Sequence, residues 1–157
     1  MEKAVLRPVP IREIKYGSKE FEMELDLRRR VLREPLGLSF TTSELEAEIS
    51  DFHIGFFHLN DLQGCLILVP QSRTVIKMRQ VAVEPEAQGQ GIGRRLIEFA
   101  EDFSIRRGYR EMILNAREQV VDFYKKLGYA AVGEPFDEVT IPHQKMKKDI
   151  YPAALYS

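Results

Sequence analysis

Three glycines at alternate positions stand where a β-strand pattern gives way to a helix pattern. They are Gly89, Gly91 and Gly93, which lie between the strand residues 81–83 and an amphipathic period that begins at Ile92. Glycine lets backbone N–H groups approach a ligand closely. The first turn of a helix adds unpaired N–H groups and a partial positive charge. The segment therefore predicts a binding site for an anion such as a pyrophosphate, whereas the alternative is a tight turn without a ligand.

The spacing of this loop excludes two common nucleotide-binding motifs. The dinucleotide fingerprint requires a glycine at position 94, where this chain has Arg94. A Walker loop requires Gly-Lys followed by Ser or Thr, and no such sequence is present. Arg94 adds positive charge at the start of the helix, which is consistent with an anionic ligand. A nucleotide-binding protein is accordingly the weakest of the functions considered.

Charge and cysteine content exclude several other classes. Lys and Arg number 23 and Asp and Glu number 24, so the formal charge is −1, which argues against a nucleic-acid partner and gives no support to a membrane surface. Cys65 is the single cysteine, so no zinc-type cluster is expected, and we predict no metal. No signal peptide and no apolar run of about 20 residues is present. A cytoplasmic location is therefore expected.

Hydrophobic periodicity predicts the elements that position the glycine loop. Strands are predicted over 9–16, 53–59, 62–69, 74–83, 110–115, 129–133 and 143–148, and helices over 19–33, 44–49, 92–107 and 118–127. No repeat or linker interrupts them, so residues 1–157 are predicted to form one domain. This order predicts an α/β fold with a mixed, mostly antiparallel six- to seven-stranded sheet, flanking helices and one βαβ crossover around residues 84–93.

The glycine loop resembles a known family motif. Residues 88–93, Gln-Gly-Gln-Gly-Ile-Gly, are similar to the Arg/Gln-x-x-Gly-x-Gly/Ala motif of the GNAT N-acetyltransferases, and the Val-Ala-Val-Glu-Pro sequence at 81–85 is the usual lead-in. The resemblance covers roughly residues 54–148. It implies a GNAT-like fold and acetyl-CoA as cosubstrate, with direct attack by a primary amine. The implied cofactor-binding residues are Val81, Ala82, Val83, Gln88, Gly89, Gln90, Gly91, Ile92, Gly93, Arg94, Asn115 and Tyr124.

Two segments further along the chain extend the resemblance. Residues 114–117 and 123–129 are similar to the later motif of the family, in which a Tyr beside the acetyl-CoA sulfur acts as general acid. Tyr124 occupies that position, and a phenol can supply the proton that a leaving thiolate needs. The alternative for Tyr124 is a packing role. Asn115 is implied to be a polar group near the cofactor arm, or else a cap that ends a strand.

The last third of the chain resembles a narrower group. Residues 133–146 are similar to the closing segment of the ElaA-like members of the superfamily, and the Leu-Arg-Arg-Arg-Val sequence at 27–31 matches their first helix. The usual Glu-Gln after that helix is replaced by Arg-Glu-Pro-Leu at 33–36. This replacement affects the region in which the acceptor pocket is expected.

An attacking amine must lose a proton before it reacts, because alkyl amines are mostly protonated at neutral pH. Many family members use a Glu near the fourth strand, but residues 77–80 contain no carboxylate. Glu138 and His143 are therefore the candidate bases, and Glu134 is a candidate for binding the acceptor. His143 has a suitable ordinary pKa, with hydrogen bonding to its own loop as the alternative. The two glutamates could instead be solvated loop charges.

The acceptor itself is open at this stage. Arg28 could bind an acceptor carboxylate through two parallel hydrogen bonds, or it could be a surface charge on a helix. His53 and His58 are expected to face opposite sides of a strand and to serve structure. The acceptor is predicted to be a small-molecule or peptide amine, and a non-catalytic acyl-CoA-binding regulatory module is the alternative function. A homodimer is considered because of the apolar C-terminal residues Ile150, Tyr151, Leu155 and Tyr156.

Overall fold

A mixed sheet of eight strands forms the centre of the structure, a computed structural model that describes residues 10–152. The strands are β1 (Ile11–Ile14), β2 (Phe52–His58), β3 (Asp61–Pro70), β4 (Val75–Val83), β5 (Glu111–Arg117), β6 (Ala130–Ala131), β7 (Phe136–Glu138) and β8 (Ile141–Asp149). Their order is β1-β2-β3-β4-β5-β8-β6, and β7 pairs with β8. Within the described residues only β4 and β5 run parallel. The predicted fold class is confirmed, with β7 as the strand that the sequence pattern did not predict.

In the described part of the chain four α-helices flank the sheet: α1 (Lys19–Arg28), α2 (Thr42–Glu46), α3 (Ile92–Arg106) and α4 (Val121–Lys126). Helix α1 begins where predicted, because the Ser18 hydroxyl accepts a hydrogen bond from the Phe21 N–H at 3.2 Å. It continues as a π-helical turn over Arg29–Arg33 and ends in a 3₁₀ turn that contains Pro35. None of the helices in residues 10–152 is long and apolar enough to cross a membrane.

The core consists of two clusters, one on each face of the sheet. Helix α3 connects the parallel strands β4 and β5, and its apolar stripe of Ile92, Leu96, Ala100 and Phe103 packs in the larger cluster. Leu27 of α1 packs in the smaller cluster on the other face. The sheet is therefore covered by α3 on one face and by α1 on the other, which leaves the ends of its strands as the place for a site.

Strand β4 contains a bulge close to the glycine loop. Cys65 of β3 pairs with Ala82 of β4, and Ile67 pairs with Arg79. Two residues of β4, Gln80 and Val81, therefore lie opposite the single residue Leu66 of β3. The backbone at Gln80 has φ of 56°, in the left-handed region that non-glycine residues rarely adopt. A bulge bends its strand and re-aims the side chains that follow it.

The parallel pairing of β4 and β5 ends at Met78 and Leu114. Beyond these residues β4 continues to Val83 and β5 continues to Arg117, each paired only on its outer side. The two strands therefore diverge, and an opening forms between them at the middle of the sheet.

The hairpin of β7 and β8 is closed by two residues with left-handed backbone. Glu138 pairs with Ile141, and the intervening Val139 and Thr140 have φ of 45° and 66°. Two-residue hairpin loops commonly need positive φ at both positions, which Asn-Gly normally supplies. The Val-Thr sequence carries no such signal, which explains why a loop is predicted here and a hairpin is found.

A buried ionic network joins α1, α2 and β2, and it corrects the expectation for Arg28. The Arg28 side chain is fully buried, where its guanidinium donates to Glu24 at 2.8 Å and to both carboxylate oxygens of Glu48 at 2.8 and 2.7 Å. The guanidinium is thus paired inside the protein, and Arg28 is neither a surface charge nor part of the lining of the cavity described below. The helix pattern could not reveal this, since the partner Glu48 lies 20 residues further along the chain.

His53 is the second cation of this network, whereas His58 is exposed. The Nδ1 atom of His53 lies 2.9 Å from Glu24 Oε2, and its Nε2 atom lies 3.0 Å from the backbone carbonyl of Glu48. Both neighbours can only accept, so both ring nitrogens carry hydrogen and the imidazole is charged. Burial alone disfavours this charge, but the hydrogen bond and the charge of Glu24 outweigh burial and raise the pKa of His53.

We expect this histidine to make the folded state sensitive to alkali. An unfolded histidine has a pKa of about 6.5, so the folded state keeps its proton at pH values where the unfolded chain has lost it. Its contribution is complete below about pH 6.5 and is lost as pH rises through the raised folded pKa. Urea denaturation of the wild-type protein should therefore give a free energy of unfolding that falls from about pH 6 to about pH 8.

The variant to compare with the wild-type protein is His53→Gln. Its side-chain amide can replace only part of the hydrogen bonding that the His53 ring makes. We expect it to be roughly 2 kcal/mol less stable at acidic pH, because a buried bond to a charged group is lost. Its stability should also vary less between the two pH values. An unchanged pH dependence in His53→Gln would contradict the assignment of charge to His53.

The C-terminal residues give no new information on assembly. Ile150 is buried in the larger core cluster, and Leu155 and Tyr156 lie outside the described residues, as does Val9 of the predicted first strand. The homodimer stays a prediction.

Candidate active site

A cavity of about 750 Å³ occupies the opening between β4 and β5. Its walls are the bulged end of β4, the glycine loop, the start of α3, α4, the segment after α1 and the β7–β8 hairpin. The predicted site residues that line it are Val81, Ala82, Val83, Gln88, Gly89, Gly91, Ile92, Gly93, Arg94, Asn115, Tyr124, Glu138 and His143. Three separate stretches of sequence are therefore brought together around one space.

Three predicted site residues are not part of this lining. Arg28 is buried in the ionic network, Glu134 is exposed in the loop before β7, and Gln90 is exposed in the glycine loop. The acceptor-binding role of Glu134 stays a prediction. The predicted contact of Gln90 involves its backbone N–H, so it does not require the side chain to face the cavity.

The glycine loop presents a row of unpaired donors. The backbone N–H groups of residues 89–94 have no acceptor among the described residues. Gly89 and Gly91 have φ of 81° and 80°, a conformation that glycine adopts without strain, and a Cβ atom at either would meet nothing within 4 Å. The Gln88 side-chain amide donates to the Val83 carbonyl at 3.2 Å and fixes the loop against the strand. Unpaired amides at a helix N-terminus fit an anion.

The bulged end of β4 offers further polar groups toward the cavity. Beyond Met78 the edge of the strand that faces β5 has no ladder partner, so backbone groups around Val81 and Val83 are available to a ligand. The side-chain oxygen of Gln80 is buried and has no hydrogen-bond partner within the described part of the chain. Buried polar groups are usually paired. The unpaired backbone groups of β4 and the Gln80 oxygen therefore fit an extended ligand with amide groups.

Tyr124 of α4 is buried in the cavity wall, at 6% exposure. Its ring packs edge-on against Phe123 and Tyr129, with centroids 5.2 and 5.7 Å away. Desolvation by burial raises the pKa of Tyr124 to about 12, so the phenol is neutral at physiological pH. Its hydroxyl makes no hydrogen bond with residues 10–152, in contrast to that of Tyr129, which donates to Glu101 at 2.8 Å. Tyr124 therefore has a free O–H donor for a ligand.

His143 and Glu138 form a pair on the opposite wall. The Nδ1 atom of His143 lies 2.9 Å from the Ile141 carbonyl, which can only accept, so Nδ1 carries a hydrogen. The Nε2 atom lies 3.5 Å from Glu138 Oε2, and the ring stacks on Phe136. His143 is buried while Glu138 is half exposed. With the hydrogen on Nδ1, the Nε2 lone pair of a neutral His143 lies on the side of the Glu138 carboxylate.

Sequence reasoning missed several side chains of this cavity. They are the cations Arg33, Lys77, Arg79 and Arg117 and the apolar residues Val31, Leu32, Leu36 and Leu38. The alternation along β4 could have indicated Lys77 and Arg79, because both lie on the face opposite the buried Ile76 and Met78. The segment after α1 carries no comparable signal.

Comparison with known proteins gives the family. A family model described as an acetyltransferase (GNAT) domain matches residues 39–150. The chain belongs to the GNAT acetyltransferase family. The uncharacterized N-acetyltransferase YitI of Bacillus subtilis is 30% identical over 131 residues, which cover 80% of this chain and 87% of that protein. The protein is thus an enzyme of the GNAT N-acetyltransferase type.

Solved structures of GNAT proteins share the fold. An aminoglycoside 6′-N-acetyltransferase complexed with coenzyme A superposes with a TM-score of 0.77 at 21% identity, covering 90% of this chain and 97% of that one. Escherichia coli ElaA superposes with a TM-score of 0.74 at 17% identity, covering 88% and 97%. ElaA is one of several structural neighbours, so the comparison shows the fold and leaves the subgroup open.

Proposed function

We propose that this GNAT enzyme transfers an acetyl group from acetyl-CoA to a primary amine. The observation that carries the proposal is the row of unpaired N–H groups of residues 89–94 at the cavity that contains Tyr124. These amides fit a pyrophosphate, and the unpaired edge of β4 near Val81 and Val83 fits the amide groups of a pantetheine arm. Support also comes from the aminoglycoside 6′-N-acetyltransferase of the same fold, which was crystallised with coenzyme A.

The bound cosubstrate would supply an activated thioester, and the residues of this chain would bind, orient and move protons around it. Tyr124 keeps its proton because burial raises its pKa to about 12, and it offers that O–H to negative charge that develops in the cavity. Such a donor is most effective when it is already in place and shielded from water. Tyr124 is 6% exposed and packs against Phe123 and Tyr129, which holds its ring in place.

His143 acts as the proton acceptor for the incoming amine, with Glu138 beside it. The amine must be deprotonated to attack, and the free Nε2 lone pair of His143 is available for that proton. Glu138 Oε2, at 3.5 Å, stabilises the imidazolium that results. The hydrogen bond from Nδ1 to the Ile141 carbonyl fixes the ring orientation.

We also propose that the chain is near the ElaA-like members of the family. The segment 133–146 carries that resemblance, and it contains the β7–β8 hairpin that brings Glu138, Val139 and His143 to the cavity. The residues shared with that subgroup are thus residues of the acceptor side. This placement supports a common mode of proton transfer rather than a common acceptor.

Calorimetric titration with acetyl-CoA tests the proposal, with ATP and NAD as controls. We expect saturable binding of acetyl-CoA and no binding of the controls, because neither the Walker nor the dinucleotide spacing is present. Release of free CoA should then depend on an added amine. Binding without amine-dependent release would indicate a regulatory acyl-CoA-binding module, and preference for ATP or NAD would contradict the assignment of the loop.

A further inference from the structure

The acceptor side of the cavity has an excess of positive charge. Among the described residues that line the cavity, five are cations (Arg33, Lys77, Arg79, Arg94 and Arg117) and one, Glu138, is a carboxylate. Arg33 is paired with Glu44 at 3.1 Å. Lys77, Arg79 and Arg117 make no salt bridge with any residue of the described part of the chain. The charge of Glu138 acts on Lys77 and that of Asp51 acts on Arg79, so carboxylates are near but fewer than the cations. An excess of positive charge at a concave site favours an anionic ligand.

These three cations share one face of the sheet. Ile76 and Met78 of β4 pack in the core beneath α3, so Lys77 and Arg79 project from the opposite face. Leu114 and Ala116 of β5 pack in that same core, so Arg117 also projects away from α3. Its guanidinium donates to the Leu32 carbonyl at 3.3 Å, which places it beside the segment that follows α1.

Their position separates them from the predicted pyrophosphate site. The unpaired amides of residues 89–94 lie at the start of α3, on the other face of the sheet. Arg79 also lies four residues before Val83, where the glycine loop begins. Four residues of extended strand span roughly 13 Å. The amides and Arg94 are the groups that we propose for the phosphates of the cosubstrate. The cations of the other face are therefore available to the acceptor.

The electrostatics of Lys77 support an anion-binding position. Burial and then the charge of Arg79 lower the pKa of Lys77; the charge of Glu138 opposes this effect only in part, and that of Lys145 adds to it. The positive charges around Lys77 therefore repel each other more than Glu138 compensates. A bound anion would relieve that repulsion and raise the pKa of Lys77.

We propose that the acceptor carries a carboxylate near its amine, as an α-amino acid does, and that Arg79, Arg117 and Lys77 bind this carboxylate. Guanidinium groups suit a carboxylate because they offer paired N–H donors. A carboxylate held on β4 and β5 would leave the amine of the same molecule free to face His143, which pairs with Arg117 across β5 and β8. This inference rests on the proposed acetyl transfer and adds the class of acceptor to it.

Matched acceptors test the inference by CoA release. Leucine, phenylalanine and glutamate are compared with the corresponding amino-acid amides, which have the same side chain and amine but lack the α-carboxylate. The amine of an amide is less basic, so unassisted chemistry favours the amide at neutral pH. We expect the wild-type enzyme to favour the acid at least tenfold in kcat/KM. Equal or better use of the amides would overturn the proposal.

Variants localise the effect to the named residues. Arg79→Gln and Arg117→Gln should each raise KM for the acids about tenfold, change use of the amides less than about twofold, and leave the Kd of acetyl-CoA unchanged. Arg73→Gln is the control, because Arg73 is exposed and is not part of the cavity lining. A weaker Kd for acetyl-CoA with unchanged acid preference would assign these cations to the cosubstrate and overturn the inference.

A binding measurement separates this inference from the proposed function. Calorimetry compares the affinities of N-acetyl-leucine and its amide for the protein alone. This measurement requires no acetyl-CoA and no turnover. If the acid binds more tightly than the amide and Arg79→Gln removes this difference, the anion site is supported. If no amine releases CoA in the same protein, only the proposed acetyl transfer fails. Equal affinities of the two compounds would overturn the anion site itself.

Discussion

Tyr124→Phe should lower kcat about 100-fold, which corresponds to about 3 kcal/mol of transition-state stabilisation. The change removes one oxygen from a side chain whose hydroxyl has no partner in the described residues, so packing in the wall should be kept. The pKa of Tyr124, raised to about 12 by burial, keeps this O–H donor protonated throughout the physiological range. The Kd of acetyl-CoA should change less than about threefold, because the donor acts mainly on charge that develops during the reaction.

The measurement is steady-state CoA release together with calorimetric titration of acetyl-CoA. Tyr129→Phe is the matched control, since Tyr129 is also buried but its hydroxyl donates to Glu101 and it is not part of the cavity lining. That variant should lose some stability and keep its kcat. If Tyr124→Phe instead weakens binding and turnover by the same factor, the residue packs the cavity and does not act as a donor.

Gly91→Asp should weaken acetyl-CoA binding more than about 100-fold while the protein remains folded. A side chain at this position would extend into open space in front of the unpaired amides of residues 89–94. Its carboxylate would occupy those donors and repel the phosphates of the cosubstrate. A bulky residue at Gly89 should have a similar effect, because Gly89 has the same backbone conformation and the same open space.

Two further variants separate strain, size and charge. Gly17→Asp places the same residue at φ of 77°, also before a helix but away from the cavity. It should match Gly91→Asp in stability, with a loss of about 1 kcal/mol, and bind acetyl-CoA normally. Gly91→Asn keeps the size and removes the charge, so it should bind better than Gly91→Asp. Unchanged affinity in Gly91→Asp would contradict the anion-binding role of the loop.

The hairpin of β7 and β8 shows one limit of sequence reasoning. Its turn residues Val139 and Thr140 adopt a left-handed backbone that their types disfavour. The pairing of β8 with β5 and the packing of Phe136 on His143 are long-range contacts that help to hold the strands in place. Local preference therefore predicted a loop, although Glu138 and His143 at its ends were selected for their chemistry.

Arg28 shows a second limit. The helix period places Arg28 on the face of Phe21 and Leu25, yet a role in acceptor binding or as a surface charge was predicted, because such a pattern does not identify partners. The distant residues Glu48 and His53 complete a buried network around it, which no spacing within α1 encodes. The cavity that Lys77, Arg79 and Arg117 share exists only after β4 and β5 diverge, so alternation could have indicated the face of Lys77 and Arg79 but not their meeting with Arg117.

The sequence by itself determined most of the elements, the family and the glycine loop. These features are local: Gly89 and Gly91 set the backbone of the loop, and periodicity sets the strands and α3. The tertiary structure decided which side chains meet in one cavity, because the bulge at Gln80 and the divergence of β4 from β5 arise from pairing between distant strands. Burial and long-range contacts, which are properties of the packed chain, placed Arg28 in the core and left Tyr124 with a free donor.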